Sequence, residues 1–83
     1  MRFTFAESAR RDVEKLPKKI QSGLKDKLLY WQSNQTPLDY AKPLTQHNEA
    51  THRFRFGVYR ILVKQIGKEL RILRIRHRKD VYR

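Results

Sequence analysis

A strict alternation of basic and aromatic residues between positions 52 and 56 constrains the fold more than any other feature of this sequence. Successive side chains of a β-strand point to opposite faces of the sheet. The segment therefore places Phe54 and Phe56 on one face and Arg53 and Arg55 on the other. Where the phenylalanines pack against the rest of the protein, both guanidinium groups lie on the open face. The sequence thus predicts a sheet with one apolar and one basic surface.

Two further strands are predicted directly after this one. Residues 59–66 and 70–75 are rich in β-forming residues. Between them, the sequence Ile-Gly-Lys-Glu at 66–69 is suited to a tight hairpin turn, because Gly67 adopts positive φ without strain. Gly57 interrupts the chain between the first two strands. These segments predict a three-stranded antiparallel meander.

The remainder of the chain predicts one strand and two helices. Residues 2–5 alternate polar and apolar, as a half-buried strand does. Apolar residues then recur at helical spacing, at Ala9, Val13, Leu16, Ile20, Leu24, Leu28 and Trp31, with a break at Pro17. The periodicity fails between residues 33 and 50, which predicts a long connection. We therefore expect a single α+β domain over residues 1–83, ordered β-α-α-β-β-β, with an antiparallel-rich four-stranded sheet and a helical hairpin on one face.

The composition narrows the class of partner. Twenty Lys and Arg against eight Asp and Glu give a net charge of +12. Such an excess opposes compact folding and indicates a polyanionic partner: nucleic acid first, then an acidic protein, then an anionic membrane surface. The sequence predicts neither a membrane span nor a signal peptide. It contains no cysteine, which excludes disulfides and thiolate chemistry and is compatible with a reducing, cytoplasmic setting.

Because alternate residues of each strand share a face, several cations are expected on the open face of the meander. They are Arg53, Arg55, Arg60, Lys64, Arg74 and Arg76. No acidic residue lies among these positions, whereas solvated surfaces normally mix both signs, although a merely solvated basic face remains the alternative. Tyr59 and Tyr82 stand beside cations, and aromatic rings stack on unpaired RNA bases as guanidinium planes do. Tyr59 is expected mainly in the core, which leaves Tyr82, next to Arg83, as the better candidate for RNA contact.

Metal and cofactor chemistry is not predicted. The three histidines, His47, His52 and His77, are not at ligand spacing. The helical acids Asp12, Glu14 and Asp26 lie among lysines, and pairing four positions apart along the helix explains them. Three glycines do not form a phosphate-binding loop. An enzyme built from Arg, Lys, His and Tyr is suited to RNA cleavage by the RNA's own 2′-OH, since cations stabilise the charged phosphorane.

Two motifs give the sequence a resemblance to a known family. The run from His52 to Arg60, His-Arg-Phe-Arg-Phe-Gly-Val-Tyr-Arg, precedes a hairpin and a closing run from Arg76 to Arg83, Arg-His-Arg-Lys-Asp-Val-Tyr-Arg. This combination resembles the RelE branch of the RelE/ParE toxin superfamily, over nearly the whole chain. The resemblance implies a type II toxin with a microbial RNase-type fold, which enters the ribosomal A site, cuts mRNA without a metal and halts translation. It also implies a RelB-like antitoxin that covers the basic face.

The resemblance assigns roles residue by residue. Arg53 and Arg55 match the basic strand pair that holds the mRNA backbone, where the family often has lysines. Arg60 matches the arginine that stabilises the transition-state phosphate. The family's candidate general acid matches either Arg76 or Arg78. The C-terminal tyrosine that stacks on the base or activates the 2′-OH matches Tyr82. His77 supplies a group that titrates near neutral pH.

Two other functions remain open from the sequence. One is a ParE-like poison of DNA gyrase, which binds its target and cleaves no RNA. That branch generally lacks the basic strand pair and the terminal tyrosine, so Arg53, Arg55 and Tyr82 favour the nuclease. The other is a non-catalytic RNA- or ribosome-binding module. There, each removed cation weakens binding gradually, whereas an enzyme loses its activity when Arg60 or Tyr82 is replaced.

Overall fold

Five strands and three short or medium helices form the part of the chain that a computed structural model describes, residues 1–81. In chain order the elements are β1 (Arg2–Phe5), α1 (Glu7–Glu14), α2 (Lys18–Gln32), a 3₁₀ helix (Pro37–Tyr40), β2 (Ala41–Pro43), β3 (His52–Phe56), β4 (Tyr59–Ile66), β5 (Glu69–His77) and α3 (Arg78–Val81). The predicted α+β class and the order strand, two helices and meander are confirmed. The turn α3 was not predicted.

The strands form one mixed sheet in the order β1-β5-β4-β3-β2. β1 runs parallel to β5, and the other neighbours are antiparallel. The predicted count of four strands is wrong, because the connection between residues 33 and 50 contributes β2 at the edge beside β3. A three-residue strand is too short for its alternation to be read from a sequence. It forms by pairing with the edge of β3, where Ala41 lies opposite Phe54 and Lys42 lies opposite Arg53.

Two glycines make the meander turns. Gly57 has φ of +58° and Gly67 has φ of +59°, and no other residue among those described has positive φ. Each glycine is the first residue of a two-residue turn, between the pairs Phe56–Tyr59 and Ile66–Glu69. Positive φ at this position alone is the pattern of a type II′ turn, which matches the twist of antiparallel strands. The turn predicted at Gly67 is confirmed.

The helices cover the face of the sheet that carries Phe54. Phe54 is fully buried, and its ring centroid lies 4.7 Å from that of Trp31 of α2 and 5.3 Å from that of Phe3 of β1. The buried apolar residues around them are Ala9, Leu24, Leu28, Ile61, Val63, Leu70, Ile72 and Ile75. The predicted apolar face of the meander is therefore confirmed, and the face opposite the helices stays open.

Helix α1 closes the edge of β5 beyond the end of β1. The hydroxyl of Ser8 donates to the carbonyl of Leu73 at 2.7 Å, and Asp12 Oδ2 accepts the backbone N–H of Ile75 at 2.8 Å. Here β5 carries an irregularity, because Leu62 pairs with Arg74 but Val63 pairs with Ile72. The extra residue is a β-bulge, which re-aims the side chains that follow it.

Candidate functional site

The open face of the sheet carries a row of three arginines across three strands. Arg55 of β3 lies opposite Arg60 of β4, and Arg60 lies opposite Arg76 of β5. Residues directly opposite each other in antiparallel strands share a face, so we call these three residues the arginine row. The next row carries Lys42, Arg53, Leu62 and Arg74, whose side chain is paired with Asp12. The structure thus brings together four predicted site residues, Arg53, Arg55, Arg60 and Arg76.

Arg60 differs from the other cations because its side chain is buried. It is only 6% exposed, and it is the one buried charged residue among residues 1–81. Its Nη1 donates to the carbonyl of Gly57 at 3.3 Å and to that of Tyr59 at 3.2 Å. A guanidinium has five N–H donors, so three remain on Nε and Nη2. The turn between β3 and β4 therefore holds the central cation of the arginine row in a fixed orientation.

Two grooves on the open face adjoin the arginine row and share Arg53. We call them the first and the second groove. The first, of about 340 Å³, is lined by Asp39, Tyr40, Ala41, Lys42, Arg53, Arg55 and Arg60. The second, of about 250 Å³, is lined by Leu44, His47, Arg53, Leu62, Arg76 and Asp80. Both open on the basic face, and their size suits parts of a ligand as large as a nucleotide.

Arg74 forms a salt bridge with the carboxylate of Asp12. Its Nε donates to Asp12 Oδ2 at 2.9 Å and its Nη2 to Asp12 Oδ1 at 3.2 Å. Burial tends to raise the pKa of Asp12, but the hydrogen bonds from Arg74 and from the N–H of Ile75, with the charges of Arg74 and Arg76, hold this pKa below its ordinary value. The explanation of Asp12 by pairing within its own helix is wrong. Arg74 instead links β5 to α1.

Two other predicted residues lie away from the arginine row. Lys64 is exposed on β4 and lies opposite Arg71, toward the other end of the strand. His77 lies opposite Tyr59, one residue beyond Arg76, and therefore faces the helix side of the sheet. Its ring packs edge-on against that of Tyr59, with centroids 5.7 Å apart. Strand alternation thus points His77 to the opposite face from the arginine row, although His77 and Arg76 line one cavity of about 350 Å³ at the end of β5.

The C-terminal candidates are only partly described. Arg78 is exposed at the start of α3, where its backbone N–H donates to the carbonyl of Val58 at 2.7 Å. Tyr82 and Arg83 lie outside the described residues. Tyr59, expected mainly in the core, is half-buried and packs against the core.

Three residues of the grooves were missed by sequence reasoning. Tyr40 and Lys42 precede the meander in the segment without periodicity, and His47 lies in the loop that follows β2. The Nδ1 of His47 accepts backbone N–H groups of Ala50 at 2.9 Å and Glu49 at 3.2 Å, which leaves Nε2 as the protonated nitrogen of the neutral ring. The only available signal was the short alternation Tyr-Ala-Lys at 40–42.

Other kinds of site find no support in the described part of the chain. Within residues 1–81 no three His, Cys, Asp or Glu side chains are placed to hold a metal ion. None of the helices in the same range is both long and apolar enough to cross a membrane.

Comparison with known proteins identifies the family. No family model matches the sequence. Toxin RelG of Mycobacterium tuberculosis is 35% identical over 81 residues, which cover 95% of this chain and 92% of that protein. The chain belongs to the RelE family of type II toxins. The likeness extends over almost the full length of both proteins, so it includes the strands that carry the arginine row.

Solved structures agree with this RelE-family assignment. A chain of the RelBE2 toxin–antitoxin complex of Mycobacterium tuberculosis is 32% identical, with a TM-score of 0.78 over 92% of this chain and 95% of that chain. A chain of the RelB–RelE antitoxin–toxin complex of Methanococcus jannaschii is 27% identical, with a TM-score of 0.69 over 94% of this chain and 93% of that chain. The RelE-like fold is therefore confirmed for this toxin, with five strands in its sheet.

Proposed function

We propose that this RelE-family toxin is an endoribonuclease that cuts mRNA in the ribosomal A site and thereby stops translation in the cytoplasm. The observation that carries the proposal is the arginine row, whose central member Arg60 is buried and held by two backbone carbonyls. A fixed cation between two further cations is suited to a phosphate that gains negative charge, because a preorganised donor does not reorient during the reaction.

The chemistry follows from the groups on the open face. The 2′-oxygen of one nucleotide attacks its own 3′-phosphate, the bond to the next 5′-oxygen breaks, and a 2′,3′-cyclic phosphate forms. One proton leaves the 2′-OH and one reaches the departing 5′-oxygen. The arginine row stabilises the phosphorane, but arginine does not deprotonate in proteins. We assign one proton step to Tyr82. The family resemblance implies Arg76 or Arg78 as the general acid, and because a guanidinium keeps its proton, we assign that step to a ribosomal group that the arginine positions.

His77 is not included in this reaction. Its ring lies against Tyr59 on the helix side of the sheet, whereas the arginine row lies on the open side. Lys64 and Arg74 are likewise proposed only as distant contacts to RNA or the ribosome, because Lys64 lies toward the far end of β4 and Arg74 is paired with Asp12.

The partner of the toxin outside the ribosome is proposed to be a RelB-like antitoxin. Both structural relatives come from complexes of a toxin with its antitoxin. An acidic antitoxin segment lying over the arginine row would neutralise part of the +12 charge and block access of mRNA. The arginine row is therefore proposed both to bind mRNA and to be covered by the antitoxin that neutralises the toxin.

The deciding experiment maps mRNA ends on stalled ribosomes. Purified toxin is added to ribosomes halted on a defined codon, and new 5′ ends are mapped, with naked mRNA in parallel. We expect cuts in the A-site codon only, loss of these cuts for Arg60→Ala, and unchanged cleavage for Lys19→Ala, an exposed cation on α2. Intact mRNA in every reaction would contradict the proposal, and a gyrase supercoiling assay would then test the ParE-like alternative.

A further inference from the structure

The first groove contains an exposed aromatic ring that the arginine row does not explain. Tyr40 is 44% exposed and lines this groove together with Arg53, Arg55 and Arg60. It is the last residue of the 3₁₀ helix, directly before β2. An exposed ring beside several guanidinium groups is the combination on which unpaired bases stack.

The register of β2 explains why this ring faces the basic surface. Ala41 lies opposite Phe54 and packs against the core, whereas Lys42 lies opposite Arg53 on the open face. Tyr40 ends the 3₁₀ helix directly before Ala41, outside the paired strand. It lines the first groove together with Lys42, Arg53 and Arg55, which places it beside the basic face.

The ring of Tyr40 is held in place from behind. Its hydroxyl donates to Asn34 Oδ1 at 3.3 Å and lies 3.3 Å from the hydroxyl of Tyr30. The two tyrosine rings meet edge to face, with centroids 5.8 Å apart. Pro37 at the start of the 3₁₀ helix is buried, which fixes the backbone of this segment. A ring that is ordered before binding loses little entropy when a base stacks on it.

The electrostatics of the groove favour an anion next to the ring. Its lining contains three arginines and one lysine, and the single carboxylate, Asp39, accepts a hydrogen bond from the Thr36 hydroxyl at 2.7 Å. The hydrogen bond with Tyr30 raises the pKa of Tyr40, so its phenol stays neutral beside a phosphate. An aromatic platform with cations on one side matches one nucleotide, which has a flat base and a charged phosphate.

We propose that the first groove binds one unpaired RNA nucleotide, with its base stacked on Tyr40 and its phosphate held by Lys42, Arg53 and Arg55. This inference rests on the proposed function, because it takes single-stranded RNA as the substrate. It adds a base-binding subsite on β2 and the 3₁₀ helix. It also gives Tyr40 a different role from Lys42, since the ring contributes stacking and the ammonium contributes charge.

The test measures binding of full-length toxin to a short single-stranded RNA that carries 2-aminopurine at successive positions and 2′-O-methyl groups that prevent cleavage. We expect quenching at one position, from stacking on Tyr40. Tyr40→Ala should weaken affinity about tenfold, the usual effect of removing one stacking ring, with an unchanged salt dependence. Tyr40→Phe keeps the ring and loses only the hydrogen bonds of the hydroxyl, so it should lose much less affinity than Tyr40→Ala. Lys42→Ala should lower the salt slope by about one unit.

Three results would overturn the inference, and they distinguish failure of the stacking subsite from failure of the proposed function. If Tyr40→Ala binds RNA like the wild type while Arg53→Ala binds weakly, the stacking subsite is wrong and RNA binding at the basic face stands. If Tyr40→Ala and Tyr40→Phe lose affinity equally, the hydroxyl and not the ring is responsible. If wild-type toxin binds no RNA but Tyr40→Ala loses affinity for an acidic antitoxin peptide, the groove is a protein-binding site. Thermal unfolding of each variant checks that it is folded.

Discussion

At the scale of single residues, the burial of Arg60 is the feature that sets this face apart from an ordinary solvated one. A buried charge is costly unless hydrogen bonds compensate it, and here two backbone carbonyls of the β3–β4 turn do so. Exposed cations on a flexible surface bind phosphate equally well but do not hold a fixed direction. The burial therefore favours a positioned cation over one that merely contributes to net charge.

The first prediction replaces Arg60 with lysine. Arg60→Lys keeps the positive charge but loses the planar fork that holds two carbonyls and a phosphate together. We expect cleavage on stalled ribosomes to slow about 10²-fold, which is typical for loss of one preorganised donor. RNA affinity should change much less. Cleavage at the wild-type rate would show that charge alone, without orientation, is sufficient at this position.

The second prediction concerns Asp12 and acid stability. The pKa of Asp12 is lower in the folded protein than in the unfolded chain, where it is about 3.9. Its carboxylate therefore stabilises the fold above this pH, and the contribution is lost as the pH falls through the folded pKa. Asp12→Asn should lower the free energy of unfolding by about 1–2 kcal/mol at pH 7, and this difference should shrink as the pH falls below the unfolded pKa of about 3.9.

Urea unfolding at several pH values measures this difference. Asp26→Asn is the matched control, because Asp26 is an exposed aspartate on α2. A gap between wild type and Asp12→Asn that stays constant from neutral to acid pH would contradict the role given to the Asp12–Arg74 pair.

At the scale of elements, α2 approaches the sheet closely at Gly23. A Cβ added there meets the Cζ of Phe56 at 3.1 Å, which is tighter than nearly all real Cβ contacts. Phe56 is the last residue of β3, directly before the turn that holds Arg60. The spacing between helix and sheet at this point thus depends on the absence of a side chain.

The third prediction enlarges this position. Gly23→Leu introduces a good helix former, so any loss reflects overpacking against Phe56 and not poor helix propensity. We expect the free energy of unfolding to fall by about 1–3 kcal/mol in urea titrations. Ser22→Leu, one residue away on the exposed side of α2, is the control and should be close to neutral. Equal stability of the two variants would contradict a tight contact at Gly23.

Strand parity explains which elements and faces the sequence could predict. The alternation of β3 placed Phe54 in the core and Arg53 and Arg55 on the open face, and the same rule, applied to β5, places His77 opposite to Arg76. Grouping His77 with Arg76 and Arg78 relied on nearness along the chain, whereas neighbours in a strand point to opposite faces, and here His77 and Arg76 share only the cavity at the end of β5.

Long-range partners explain what the sequence could not predict. β2 pairs with the free edge of β3, and its three residues are too few for their alternation to predict a strand. Asp12 looked like one of several helical acids until β5 placed Arg74 and the Ile75 N–H beside it. Tyr40 was not predicted as a site residue because it lies beside the basic face only through the pairing of β2 with β3. In each case the decisive contact joins residues far apart in the chain.

At the scale of the whole molecule, the net charge of +12 is confined to a small volume. The Cα radius of gyration is 11.9 Å, which is close to the distance of about 10 Å over which 0.1 M salt screens charges. Repulsion among the cations therefore acts across the entire protein at low ionic strength and opposes folding.

The fourth prediction is that sodium chloride stabilises the isolated toxin. Its free energy of unfolding should rise as the salt concentration increases from about 0.05 M to about 0.5 M, because screening weakens the repulsion. An acidic antitoxin should stabilise the toxin in the same direction and reduce the salt effect. Thermal unfolding with and without partner measures both. Equal stability of free and bound toxin at the lower concentration would contradict this view.

The pairing of β1 with β5 also determines when the toxin can first act. Residues 2–5 find their partners only at residues 69–72, and Arg76 of the arginine row lies further along the same strand. During synthesis, a chain that has not yet released these residues from the ribosome has an unpaired first strand and an incomplete row, and contacts between distant segments form slowly. On the proposed function, the ribosome that makes the chain therefore meets a complete arginine row only after β5 has been synthesised and released.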